Sequence, residues 1–145
     1  MKQARILLAL FLLSALPLAA HAQCRSFVKN KCQTSMLPYK FNETFNAAQL
    51  APGEEAEVDL TFFSGQDYRL LICAHPILGA VNWKLMDGTG QSLFESTAEN
   101  PKTNFDFKVA NTQQLKVHID VPQKAGGGNE MLNVGCVGIL VGFKE

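Results

Sequence analysis

From Glu57 to the end of the chain, apolar and polar side chains alternate with a period of two. Val58, Leu60 and Phe62 share one side of a stretch whose other side holds Glu57, Asp59 and Thr61. Leu115, Val117, Ile119 and Val121 alternate in the same way with Lys116, His118 and Asp120. Successive side chains of an extended backbone point to opposite faces, so each such run predicts a strand with one wet and one buried side. The pattern predicts strands over 57–63, 68–74, 80–86, 91–96, 105–109, 114–121 and 135–143. Ser64-Gly65-Gln66-Asp67 and Asp87-Gly88-Thr89-Gly90 sit between runs and read as turns, because glycine supplies the positive φ that tight turns require. Pro122 stops a strand, and Gly126-Gly127-Gly128 belongs to a loop.

Two runs break the alternation and are apolar on both sides. In 68–74, Tyr68, Leu70, Ile72 and Ala74 face one way and Arg69, Leu71 and Cys73 the other. In 135–143, Val137, Ile139, Val141 and Phe143 oppose Cys136, Gly138, Leu140 and Gly142. Both strands are expected at the centre of a sheet whose outer face is covered. The small residues of the last strand leave room for the covering element to come close. The N-terminal segment is the natural cover. In 24–37, Phe27, Val28, Lys31 and Cys32 fall near one helical face, and Pro38 ends the stretch. Residues 42–57 are polar, contain Pro52-Gly53, and read as a connection. The fold class expected is all-β: an antiparallel, jelly-roll-like β-sandwich of about seven to eight strands, with a short N-terminal helix packed on one sheet.

The first 22 residues carry a different signal. Lys2 and Arg5 precede an apolar run from Ile6 to Leu13, and Ala20-His21-Ala22 places small residues where a signal peptidase reads. The run is shorter than a bilayer core requires, and no membrane span is expected in the remainder. The domain reading is a signal peptide over 1–22 and one domain over 23–145, exported to the periplasm or beyond. Lipid attachment at Cys24 is disfavoured by Gln23, since the residue before a lipidated cysteine is normally small. Two of the 13 basic residues and none of the 13 acidic ones lie in the leader, so the remainder carries a net −2. There is no basic patch, which argues against a nucleic-acid partner.

All four cysteines, Cys24, Cys32, Cys73 and Cys136, lie beyond the leader. An even count in an exported chain predicts two disulfides, with three possible pairings. Zinc is disfavoured, because its sites use close cysteine pairs and the spacings here are 8, 41 and 63. If 24–32 is helical, Cys24 and Cys32 stand about 12 Å apart along the axis, beyond the reach of one bond. Staples from the N-terminal segment to Cys73 and Cys136 are therefore favoured, with a Cys73–Cys136 bond left open.

The order "YRLLI", "VNWKLMDGTGQSL", "FDFKVANTQQLKVHI" and "VGILVGF" resembles the bacterial pre-peptidase C-terminal domain and, more distantly, the GOLD-type β-sandwich. Leu85, Asp87 and Gly90 sit near that family's characteristic turn, and the resemblance covers roughly residues 54–143. The cysteines and the N-terminal segment depart from the pattern. The resemblance implies a jelly-roll-like sandwich with an accessory role in binding, targeting or export.

Candidate chemistry is sparse. Cys73 and His75 lie two apart and point to the same side of a strand, as a nucleophile and its base must. Pro76 marks a strand end there, and a disulfide accounts for the cysteine. His118 sits on a polar strand face and reads as solvated, with no metal partner identified. Asp87 reads as a turn residue rather than a calcium ligand, since the loop lacks the alternating oxygens calcium takes. Trp83 shares a face with Val81 and Leu85 and reads as core rather than as a sugar-stacking platform. Asn42-Glu43-Thr44 fits a glycosylation sequon. No catalytic residue, metal site or cofactor is expected. The function expected is an exported, non-catalytic binding or accessory protein, its partner an unidentified envelope protein or glycan. A structural subunit of an envelope assembly, and less favourably a hydrolase or hydrolase inhibitor, are the alternatives.

Overall fold

The computed structural model describes residues 18–41, 45–123 and 133–144. Helix α1 spans Leu18–Lys31, and a short 3-10 turn follows at Gln33–Met36. The strands are β1 (Lys40–Phe41), β2 (Asn46–Leu50), β3 (Glu55–Phe62), β4 (Asp67–Ala74), β5 (Asn82–Met86), β6 (Ser92–Ser96), β7 (Asn104–Lys108), β8 (Gln113–Asp120) and β9 (Gly135–Lys144). One sheet runs β2-β9-β4-β7, with β1 also on β9. The other runs β3-β8-β5-β6. Every pairing is antiparallel. Apart from the β5–β6 hairpin, each step from β2 onward crosses from one sheet to the other, which is the winding of a jelly roll.

The two-sided apolar strands are where the pattern placed them. β4 pairs with β9 along its whole length and with β7 on its other edge, at the centre of its sheet. Tyr68, Leu70, Ile72, Val137 and Ile139 point between the sheets, into a core with Phe62, Trp83, Leu85, Val117 and Ile119. Leu71 and Leu140 point outward into a second cluster with Val28, Cys32 and Met36. The covering segment therefore buries the outer face of this sheet.

Four expectations need correction. The helix is not 24–37: it starts at Leu18 and ends at Lys31, seven residues before Pro38. Its buried face is Cys24 and Val28, spaced by four as successive turns require and continued by Cys32 just past its end, while Lys31 is exposed. Lys29 and Lys31 lie in the last turn, where a cation complements the helix dipole. The 42–57 stretch is not only connection. It holds β2 and the start of β3, which brings the strands among the described residues to nine. The strand read over 80–86 starts at Asn82. Asn42 and Gly126–Gly128 lie outside the described residues.

The helix approaches β9 closely because β9 carries glycines. A β-carbon on Gly138 would lie 2.4 Å from Val28 Cγ2, and one on Gly142 would lie 2.5 Å from Met36 Cε. Two disulfides fix the contact: Cys24–Cys136, with Cα atoms 5.2 Å apart, and Cys32–Cys73, at 6.0 Å. This is the favoured staple arrangement, and its register is now assigned. Cys24 has its thiol in that bond and so offers none for lipid. Arg69 completes the seam. It grips Asp106 with two hydrogen bonds of 2.7 Å, donates to the carbonyls of Leu37 (2.9 Å) and Ser35 (3.3 Å), and lies over the Tyr39 ring.

Candidate functional site

The side chains with chemical potential are occupied in structural roles. Cys73 is bonded to Cys32, so no thiolate stands beside His75. His75 Nδ1 accepts from the Ile77 N–H at 3.2 Å, capping the Pro76–Leu78 turn, and its ring packs on Phe27 at 5.3 Å. Asp87 Oδ1 accepts from the N–H groups of Thr89 and Gln91 and from the Thr89 hydroxyl, which closes the β5–β6 turn. Those bonds hold its carboxyl below the usual carboxylate range. Trp83 is 2% exposed and donates from Nε1 to the Lys102 carbonyl at 2.6 Å.

His118 is not freely solvated as expected. Its side chain is 18% exposed, with Nδ1 3.0 Å from Glu57 Oε1 and Nε2 3.7 Å from Glu55 Oε2. β3 and β8 place Glu57 directly across from His118, and the wet-face alternation brings Lys116 into the same group, 3.1 Å from Glu57. The hydrogen bond from Lys116, followed by that from His118, holds the Glu57 carboxyl low. The carboxylates bracket the ring on opposite sides rather than converging on one point. Among the described residues, no three histidine, cysteine or acidic side chains gather as metal ligands, and no buried side-chain nitrogen or oxygen lacks a partner.

The unoccupied feature is one flank of the sandwich. At the other flank, edge strands β6 and β7 are closed by aromatic rings. Phe94 stacks on Phe105 at 4.3 Å and meets Trp83 in a tilted contact at 4.8 Å, and Ser96 bonds both the N–H and the carbonyl of Lys102. At the β2–β3 flank small and aliphatic residues line one end and aromatic ones join them at the other. Two hollows of about 210 and 400 Å³ lie end to end there, sharing Asn46 and Ile139. Ala47, Ala48, Ala56 and Val58 line the first; Phe45, Leu60, Phe63, Val141 and Phe143 line the second. Val58, Leu60, Val141 and Phe143 are only partly buried, and Phe63 is 60% exposed.

The backbone at this flank is also open. Among the described residues, β3 pairs only with β8 and stands last in its sheet, and β2 pairs only with β9. Alternation along an antiparallel ladder turns every second N–H and C=O of β3 away from β8. The sequence reading missed this site because β2 lay inside the polar stretch taken as connection. The available signal was the pair Ala47-Ala48 between polar neighbours, which is too short for a periodicity to register.

No protein-family model matches the chain, and no curated protein matches it. Several solved structures resemble it, among them the following three. PliG from Aeromonas hydrophila, a periplasmic inhibitor of g-type lysozyme, is 9% identical, with 72% of this chain and 92% of that chain covered and a TM-score of 0.45. A de novo designed double-stranded β-helix is 15% identical, with 70% and 99% covered and a TM-score of 0.32. The carbohydrate-binding module CBM36, in complex with calcium and xylotriose, is 11% identical, with 74% and 94% covered and a TM-score of 0.33.

Proposed function

We propose that this chain is an exported, non-catalytic β-sandwich that binds a protein of the cell envelope through its β2–β3 flank. The observation that carries this reading is the apolar cleft running beside an unpaired strand edge. Soluble proteins normally cover or blunt such edges, so one left open above an apolar floor is a place for a partner. Phe63, exposed at one end of the cleft, is the kind of aromatic anchor that dominates binding energy. A protein partner is favoured over a glycan because Trp83, the sole tryptophan, is buried in the core and offers no face to a sugar. Export is supported by the N-terminal leader pattern and by two disulfides, which persist in oxidising compartments.

The same free edge fits a structural subunit of an envelope assembly, in which the partner is a permanent neighbour. Site-specific photocrosslinking in the native envelope tests both. A photoreactive residue at Leu60 is expected to trap a discrete protein adduct, and one at Lys84 on the wet face of the same sheet is expected to trap none. Equal labelling from both positions, or none from Leu60, would reject the flank as the binding surface. Survival of the untrapped complex through purification separates a permanent subunit from a transient binder.

A further inference from the structure

We propose that the flank is filled by strand addition: an extended segment of the partner, alternating basic and apolar residues, joins β3 as a fifth strand of its sheet. This rests on the flank being the binding surface and specifies what enters it. β3 presents two different faces to an incoming strand. Its inner side is Ala56, Val58 and Leu60, all partly buried beside the cleft. Its outer side is Glu55, Glu57 and Asp59. A strand laid along the free edge in register places alternate side chains over the cleft and the intervening ones beside those three acids.

The charges decide what those intervening side chains are. On the outer faces of β3 and β8, Glu55, Glu57, Asp59 and Asp120 outnumber Lys116, which already pairs with Glu57. Glu55 is 73% exposed and holds only a 3.7 Å approach to His118. Directly opposed unlike charges stabilise a strand pair and like charges destabilise it. A basic strand is therefore accepted and an acidic one refused. The same rule disfavours a second copy as occupant, because antiparallel pairing of β3 with itself sets acids against acids. The acids thus leave the edge open while guarding it against self-association.

The test uses the oxidised protein, labelled for amide NMR, and blocked eight-residue peptides. One peptide alternates lysine with valine, one alternates glutamate with valine, and one has the lysine–valine composition with the valines clustered. The proposal expects the lysine–valine peptide to bind tighter than the glutamate–valine peptide by about threefold or more. Amide shifts are expected to be confined to β2, β3 and β9. The preference is expected to shrink as salt rises from about 20 to about 300 mM, because exposed pairs are screened. Glu55→Lys combined with Asp59→Lys, both on the wet face, is expected to invert the preference without unfolding the protein. Leu60→Arg is expected to abolish binding. Equal affinity for the three peptides, no inversion by the double variant, or shifts centred elsewhere would overturn strand addition. If Leu60 traps a partner in the envelope while the peptides show no patterned binding, strand addition fails and the flank remains the binding surface. A concentration-dependent dimer that protects the β3 amides would overturn the choice of occupant.

Discussion

Gly138 shows how one side chain governs the approach of a whole element. An added methyl group would collide with Val28, which is fully buried and branched at its β-carbon, so neither partner can move aside. Gly138→Ala is expected to cost about 1–3 kcal/mol of unfolding free energy. Denaturant titration measures this, and Val28→Ala on the same background is expected to recover part of it. Asp106 gives the pH dependence. The two hydrogen bonds from Arg69 hold its carboxyl below the usual carboxylate range, near 4. A carboxylate whose folded pKa is depressed adds stability above its unfolded pKa and loses it as pH falls through the folded one. Thermal unfolding is therefore expected to shift downward below about pH 4. Asp106→Asn should lower the midpoint at pH 7 and flatten the acid limb. Glu57 and Asp87 are shifted in the same direction and keep part of that slope. The residue-level roles of Trp83, Asp87 and Gly138 were legible because each follows from strand alternation or turn chemistry. His118 was not, because its two carboxylate neighbours come from another strand and only register brings them together.

At the scale of elements, the N-terminal segment is what makes a bare outer sheet face into a second core. Two disulfides hold it there. They span 112 and 41 residues, so each restricts the unfolded chain strongly. Replacing either pair by serine is expected to cost about 2–5 kcal/mol. With both pairs replaced, α1 should detach, and trypsin should cut at the exposed Lys31 far faster than in the oxidised protein. The cover was legible from β9 alone, since a strand with Cys136, Gly138, Leu140 and Gly142 on one side needs a close neighbour. The helix limits were less legible. Pro38 is an evident stop, yet the chain leaves the α-helix at Lys31 and turns through Gln33–Met36, where tertiary contacts bury Met36. β2 was hidden for a related reason: an edge strand of small and polar residues has no periodicity of its own and is specified by its partner β9.

For the whole molecule, the two flanks of the sandwich differ in kind. One is closed by the Trp83, Phe94 and Phe105 rings. Emission from the sole tryptophan is therefore expected to be blue-shifted and poorly quenched by acrylamide in the folded state, and to lose both properties on unfolding. The other flank keeps an apolar floor and, among the described residues, a free backbone edge, and the function proposed above depends on that difference. Amide hydrogen exchange in the free, oxidised protein tests it most directly. The Val121 N–H bonds the Glu54 carbonyl, so alternation assigns the groups of Ala56, Val58, Leu60 and Phe62 to β8 and turns those of Glu55, Glu57, Asp59 and Thr61 outward. Open-edge geometry predicts slow exchange at the first four and fast exchange at the second four, with β9 slow along its centre. Uniform protection along β3 would mean that the edge is already covered, and would contradict the account.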